Sequence, residues 1–130
     1  MDNNLIMELQ EKYSELQESE ERINLIEQQI LELETFGNSI DEIKKTENKG
    51  ILASLGKGVY IPAEIKEKNL FVGVGSGIFV KKTSDEARKV VENQLLGLNG
   101  LREKFSLRMD NLNKEMQKLM IKIEEKQKTN

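Results

Sequence analysis

The chain contains no cysteine, no histidine and no tryptophan, and one proline in 130 residues. Without Cys or His there is no disulfide and no soft-ligand metal site. Ser-His-Asp and Cys-His catalysis are excluded for the same reason. No apolar run approaches the ~18 residues of a membrane span. The opening stretch MDNNLIMELQEKYSE has no basic n-region and no apolar h-region, so a secretory signal is not expected. A net charge of −3 gives no general reason for a nucleic-acid partner. These absences predict a soluble, cytoplasmic protein with no metal, no cofactor, no membrane and no nucleic acid among its partners. Carboxylates are plentiful, but a thin helical chain offers no apolar cleft to tune a pair of them, so no enzyme is expected.

What is present falls into three parts. Residues 1–47 are polar and charged, with 13 acidic and 4 basic residues. Residues 48–82 carry 2 acidic and 6 basic residues. They also hold six of the nine glycines and the single proline. Residues 83–130 return to the first style, with 8 acidic and 10 basic residues. An acidic first part and a mildly basic last part favour pairing with each other, though exposed charge pairs contribute only about 0.2–1 kcal/mol each.

The last part has the clearer period. Leu95, Arg102, Met109, Met116 and Ile123 form one heptad series, and Val91, Leu98, Phe105, Leu112 and Leu119 the other. Nine of these ten positions are apolar, which is the pattern of a coiled-coil seam. Thr83 or Ser84 is placed to cap this helix, and Ser84 with Ala87 completes no capping box. The first part reads as a seam through Ile6, Leu9, Tyr13, Leu16, Glu20, Ile23, Ile26, Ile30, Leu33, Gly37 and Ile40. In that reading two short steps meet at Ile23 and Ile26, a stammer that overwinds the supercoil. Two helices of similar length around a compact insert predict an antiparallel helical hairpin, with both termini at one end. Lys114, Lys118 and Lys122 make a basic stripe on the second helix, read as facing helix-one acids or solvent.

The insert holds four β-favouring runs, at 51–55, 59–65, 70–74 and 78–81. Gly56-Lys57-Gly58 and Gly75-Ser76-Gly77 have the chemistry of hairpin turns. Pro62 inside a run marks an edge or a bulge. Gly73-Val74-Gly75-Ser76-Gly77 is not a nucleotide loop. Its spacing is G-x-G-x-G rather than G-x-G-x-x-G, and a strand follows it instead of a helix. So small a sheet is marginal by itself, and its edges invite pairing with another subunit. The predicted fold class is therefore α+β: one domain over 1–130, with a helix at 1–47, two β-hairpins at 50–82 and a helix at 83–130. The insert is expected to oligomerise into a β-barrel body.

At this point the chain resembles the α-class subunit of prefoldin. Three features carry the likeness. The order is helix, two hairpins, helix, where β-class subunits have one hairpin. The segment Gly58-Val59-Tyr60-Ile61-Pro62-Ala63-Glu64-Ile65 is similar to the family's YVP strand, with Ala63 where relatives often have Gly. Phe71-Val72-Gly73-Val74-Gly75-Ser76-Gly77-Ile78-Phe79-Val80-Lys81-Lys82-Thr83 is similar to its VGTGYYVEKT strand-turn-strand. The resemblance implies an ATP-independent holding chaperone. Two α-class and four β-class subunits would build a hexamer with a double β-barrel and six coiled-coil arms. Unfolded client proteins would be held between the arm tips and passed to a group II chaperonin. The alternative is a structural coiled-coil adaptor without client binding.

The residues expected at the arm tip are Leu5, Ile6, Met7, Leu9 and Tyr13 on helix one, with Met116, Leu119, Met120, Ile121 and Ile123 on helix two. Among them Ile6, Leu9, Tyr13, Met116, Leu119 and Ile123 take seam positions, while Leu5, Met7, Met120 and Ile121 fall off it. Off-seam apolar residues are exposed and suit varied partners, methionine above all. Leu25, Leu31, Leu101 and Leu107 are also off the seam, away from the tip. The subunit interface is expected on Ile51, Leu52, Val59, Tyr60, Ile61, Phe71, Val72, Val74, Ile78, Phe79 and Val80.

Overall fold

A computed structural model describes residues 3–129. Helix α1 (Asn3–Lys45) leads into strands β1 (Gly50–Gly56), β2 (Val59–Glu64), β3 (Leu70–Gly75) and β4 (Ile78–Lys82), and helix α2 (Ser84–Thr129) follows. The chain forms two compact units. One comprises Met1–Leu31 with Leu96–Asn130, the other Glu32–Leu95.

In the first unit, segments of α1 and α2 pair antiparallel. Lys12 meets Glu115 at 2.8 Å, Glu15 meets Arg108 at 2.7 Å, and the Arg22 guanidinium lies 5.7 Å from the centre of the Phe105 ring. On α2 every one of the ten predicted seam residues, Arg102 included, is buried or half-buried. On α1 the seam differs from the predicted one. Apart from Glu15, Asp41 and Ile43 beside it, the covered residues form a seam of Leu5, Leu9, Lys12, Leu16, Ser19, Ile23, Ile26, Ile30, Leu33, Gly37 and Ile40. Their steps alternate four and three throughout, so there is no stammer. Ile6, Tyr13 and Glu20, expected in the seam, are exposed, and Leu5, expected outside it, is half-buried. A lysine and a serine hold the positions that apolar scoring gave to Tyr13 and Glu20. The Lys12 stem is apolar enough to lie in the seam while its ammonium reaches Glu115.

In the second unit, Ile40, Ala87 and Val91 form a small core, with Leu33, Leu70 and Leu95 packed against it. Gly37 is buried beside Arg88, and a Cβ there would overlap the guanidinium. Arg88 lies 3.7 Å from Asp41 and 3.6 Å from Glu92. Thr83 caps α2: its hydroxyl accepts a bond from the Glu86 N–H at 3.1 Å and donates to the Glu86 carboxylate at 3.2 Å. Thr83 with Glu86 thus takes the spacing of a capping box, one residue earlier than the pair considered above, with the carboxylate bonded to the threonine hydroxyl. The link between the hairpins is tied to both helices. Lys68 donates to the carbonyls of Lys44 (3.0 Å) and Thr46 (2.7 Å), satisfying the end of α1, and Ser84 donates to the Lys68 carbonyl.

The strands form two separate two-stranded antiparallel sheets, β1 with β2 and β3 with β4. Each turn has two central residues at positive φ, Lys57 (53°) with Gly58 (78°) and Ser76 (53°) with Gly77 (74°). That geometry matches the right-handed twist of the strands. The preceding Gly56 and Gly75 are also positive, where the register shifts. The G-x-G-x-G run is therefore turn and bulge, as its spacing predicts. Pro62 lies opposite Leu52, away from the bulge. The Ile65 N–H donates to the Lys49 carbonyl, and alternation along the ladder makes Leu52–Pro62 a non-hydrogen-bonded pair. Its ring nitrogen faces the free edge, where a missing donor costs the hairpin nothing.

Candidate functional site

Two surfaces gather the residues singled out from sequence. The first lies in the unit that holds the helix ends. Leu9 and Tyr13 of α1 and Met116 and Met120 of α2 line an open groove of about 490 Å³, with Gln10 and Ser14. Tyr13 and Met120 are 51% and 46% exposed, so apolar surface stands free in water. Ile6, Met7 and Ile121 are also exposed, while Leu5 and Ile123 are half-buried. Met7 lines a separate, shallower groove with Gln10, Glu11, Ser14, Glu15 and Glu18. Leu119, expected on this surface, is only 5% exposed. It is seam packing, because its heptad position turns it into the helix pair. Gln10 and Ser14 are polar, so apolar spacing alone does not single them out. With α1 in its true phase they fall on the same side as Tyr13, which is the signal that would have found them.

Among the described residues no charged one lines this groove; charge ties the two helices outside it. Hydrogen bonding with Glu115 holds the Lys12 ammonium above its ordinary value, with the Glu115 charge acting in the same direction. Lys12 in turn lowers Glu115, through its hydrogen bond first and its charge second. The two groups stay ionised across the neutral range and hold α1 to α2 on the side away from the groove.

The second surface is the pair of hairpins. All eleven residues named as interface are exposed: Ile51, Leu52, Val59, Tyr60, Ile61, Phe71, Val72, Val74, Ile78, Phe79 and Val80. Leu55, omitted from that set, is exposed too. The register gives each hairpin two apolar faces. Ile51 and Ile61 share one face of β1–β2 with Ala53 and Ala63, and Leu52, Tyr60 and Pro62 share the other. On β3–β4, Phe79 lies across Gly73 and Lys81 sits 5.8 Å from the centre of the Phe71 ring. Lys81 also meets Glu67 at 3.2 Å. Among the described residues no cluster of carboxylates is placed to hold a metal ion, and no helix is long and apolar enough to cross a membrane.

Comparison with known proteins bears on the family and the fold. The family model described as "Prefoldin subunit" matches residues 6–129. The chain is 35% identical over 112 residues to the prefoldin subunit alpha of Thermofilum pendens, covering 82% of this chain and 84% of that one. It is 28% identical over 72 residues to the prefoldin subunit alpha of Methanosphaera stadtmanae, a match spanning 55% of this chain and about half, 52%, of that relative. Its fold is similar to a filamentous prefoldin from Methanocaldococcus jannaschii solved by cryo-electron microscopy, with a TM-score of 0.75 and 17% identity, over 93% of this chain and 99% of that one. With a family match across nearly its whole length, and with two long helices and two hairpins in the same order, this chain belongs to the prefoldin family.

Proposed function

We propose that this chain is an α-class subunit of an ATP-independent holding chaperone, one that binds non-native polypeptide at its helix ends. The observation that carries this reading is the open groove of Leu9, Tyr13, Met116 and Met120, standing in water on a chain of the prefoldin family. Methionine and tyrosine offer polarizable, adaptable surface, which suits clients that share no sequence. The exposed hairpins assemble with β-class partners, two α with four β, closing a barrel that hides the apolar strand faces. A cytoplasmic complex of this kind delivers its client to a group II chaperonin.

The adaptor reading draws on a specific observation as well. Leu25, Leu31, Leu96, Leu101 and Leu107 are exposed on the outer faces of the helices, away from the groove. A structural partner helix would cover them. The two readings part in one experiment. The chain is co-expressed with a single-hairpin partner, and the complex is added to a chemically denatured, aggregation-prone protein while light scattering is followed without ATP. The holding reading expects scattering to be suppressed. It also expects suppression to fall when residues 1–8 and 119–130, Met120 of the groove among them, are removed, with the native mass of the complex unchanged. An adaptor leaves scattering untouched in both cases.

A further inference from the structure

The helix ends differ on their two sides. On one side Ile6 and Tyr13 of α1 and Met120 of α2 flank the seam, and Leu9 and Met116 floor the groove between them. Further out on this side the heptad places Asn3, Gln10 and Gln17 on α1, with Asn113 and Gln117 on α2, all exposed. None of these residues is charged, in a chain one third of whose residues are. Carboxylates appear only where the strip stops, at Glu20 and Asp110 towards one end and Glu124 towards the other.

The opposite side is built from charge. It carries Glu8, Glu11, Glu15 and Glu18 on α1 and Arg108, Glu115, Lys118 and Lys122 on α2. The ion pairs Lys12–Glu115 (2.8 Å) and Glu15–Arg108 (2.7 Å) cross the helices there. That side is occupied in holding α1 to α2. The groove side has no such task, and its polar groups are amides.

Resting on the chaperone reading, we propose that this amide-and-apolar side is a polypeptide-binding strip that takes an extended apolar segment of a non-native chain. The segment's side chains enter the Leu9–Tyr13–Met116–Met120 groove. Its backbone exchanges hydrogen bonds with Gln10, Gln17, Asn113 and Gln117, since each amide offers both donors and an acceptor. A strip without charge neither attracts nor repels a client by its sign, so binding is indifferent to client charge and to salt. A charged strip would select by sign and weaken with ionic strength. The strip thus accounts for breadth: it reads apolar side chains and peptide backbone, which every unfolded chain possesses.

Photo-crosslinking in the assembled complex tests this, because it reports contacts of this chain and not of its partners. A photoreactive residue is placed at Gln117 in one complex and at Lys118 in another, adjacent on α2 but on opposite sides. The probes are three fluorescent, unstructured apolar peptides that differ only in flanking residues: neutral, lysine-rich and glutamate-rich. Label transfer from position 117 is expected to exceed that from 118 at least about tenfold. It is expected to vary less than about threefold among the peptides and between roughly 0.01 M and 1 M salt. If the complex suppresses aggregation but crosslinks equally from both positions, or sorts the peptides by charge, the strip is wrong and the chaperone reading stands. If nothing crosslinks and aggregation proceeds unchecked, the chaperone reading fails and the strip fails with it.

Discussion

Lys12 shows why one seam was harder to read than the other. On α2 nine of the ten heptad positions are apolar and all ten are covered, so that seam was legible from sequence. On α1 the covered positions include Lys12 and Ser19, with Tyr13 and Glu20 beside them facing outward. A search for apolar spacing prefers Tyr13 to Lys12, and that choice creates a false stammer. What decides the phase is tertiary: the lysine is stabilised by Glu115, far away in sequence. The same pair gives the helix ends a pH dependence. Lys12 lowers Glu115 from the ordinary 4.5, so its contribution is present above that value and is lost as pH falls through the lowered one. Glu115 raises Lys12 above 10.5, so the lysine contributes below that value and its part is lost as pH rises through the raised one. Between these limits the pair is intact. Glu115→Gln is therefore expected to flatten part of the acid limb of thermal stability, followed by circular dichroism from pH 7 down to pH 3. An unchanged acid slope in the variant would show that the pair contributes nothing.

The elements themselves were largely legible, because period and punctuation act locally. Each predicted strand run lies within one residue of the observed strand at either end. The two glycine triplets turned where their chemistry said they would. The docking of the link was not legible. Lys68 reaches the last carbonyls of α1 only because the fold carries it there. Of the two capping candidates for α2, Thr83 is the one used, and its Glu86 partner follows the spacing that was sought from Ser84. The turns support a direct test. Gly77 holds φ 74° and Ser76 φ 53°, in the left-handed region that side chains adopt only at a cost. Gly77→Ala is expected to destabilise the hairpin by about 1–2 kcal/mol. Ser76→Gly is expected to be neutral or mildly stabilising in the same denaturant titration, because it removes strain of the same kind. A neutral Gly77→Ala would mean that the turn relaxes to another type.

At the scale of the molecule, the dominant feature is apolar surface that the chain leaves uncovered. Two-stranded sheets are marginal in water, and this chain has two of them, each with both faces apolar and both edges unpaired. Leu52 is 68% exposed and Phe79 66%, values foreign to a finished interface. This much was legible from length alone, since a 33-residue insert over 50–82 offers too little chain to bury its own strands. The identity of the covering strands was not legible, because complementarity belongs to the partner. The hairpins are therefore expected to be the assembly element and the helix ends the binding element, separable by mutation. Leu52→Asp with Phe79→Asp places a charge on each hairpin where neither turn nor helix is touched. The double variant is expected to keep its helical circular dichroism and lose assembly with a single-hairpin partner, measured as native mass by light scattering. Tyr13→Glu with Met120→Glu is expected to do the reverse, preserving native mass and losing suppression of aggregation. If the hairpin variant still assembles at full mass, the exposed strand faces are not what joins the subunits, and the helices' outer leucines become the next surface to test.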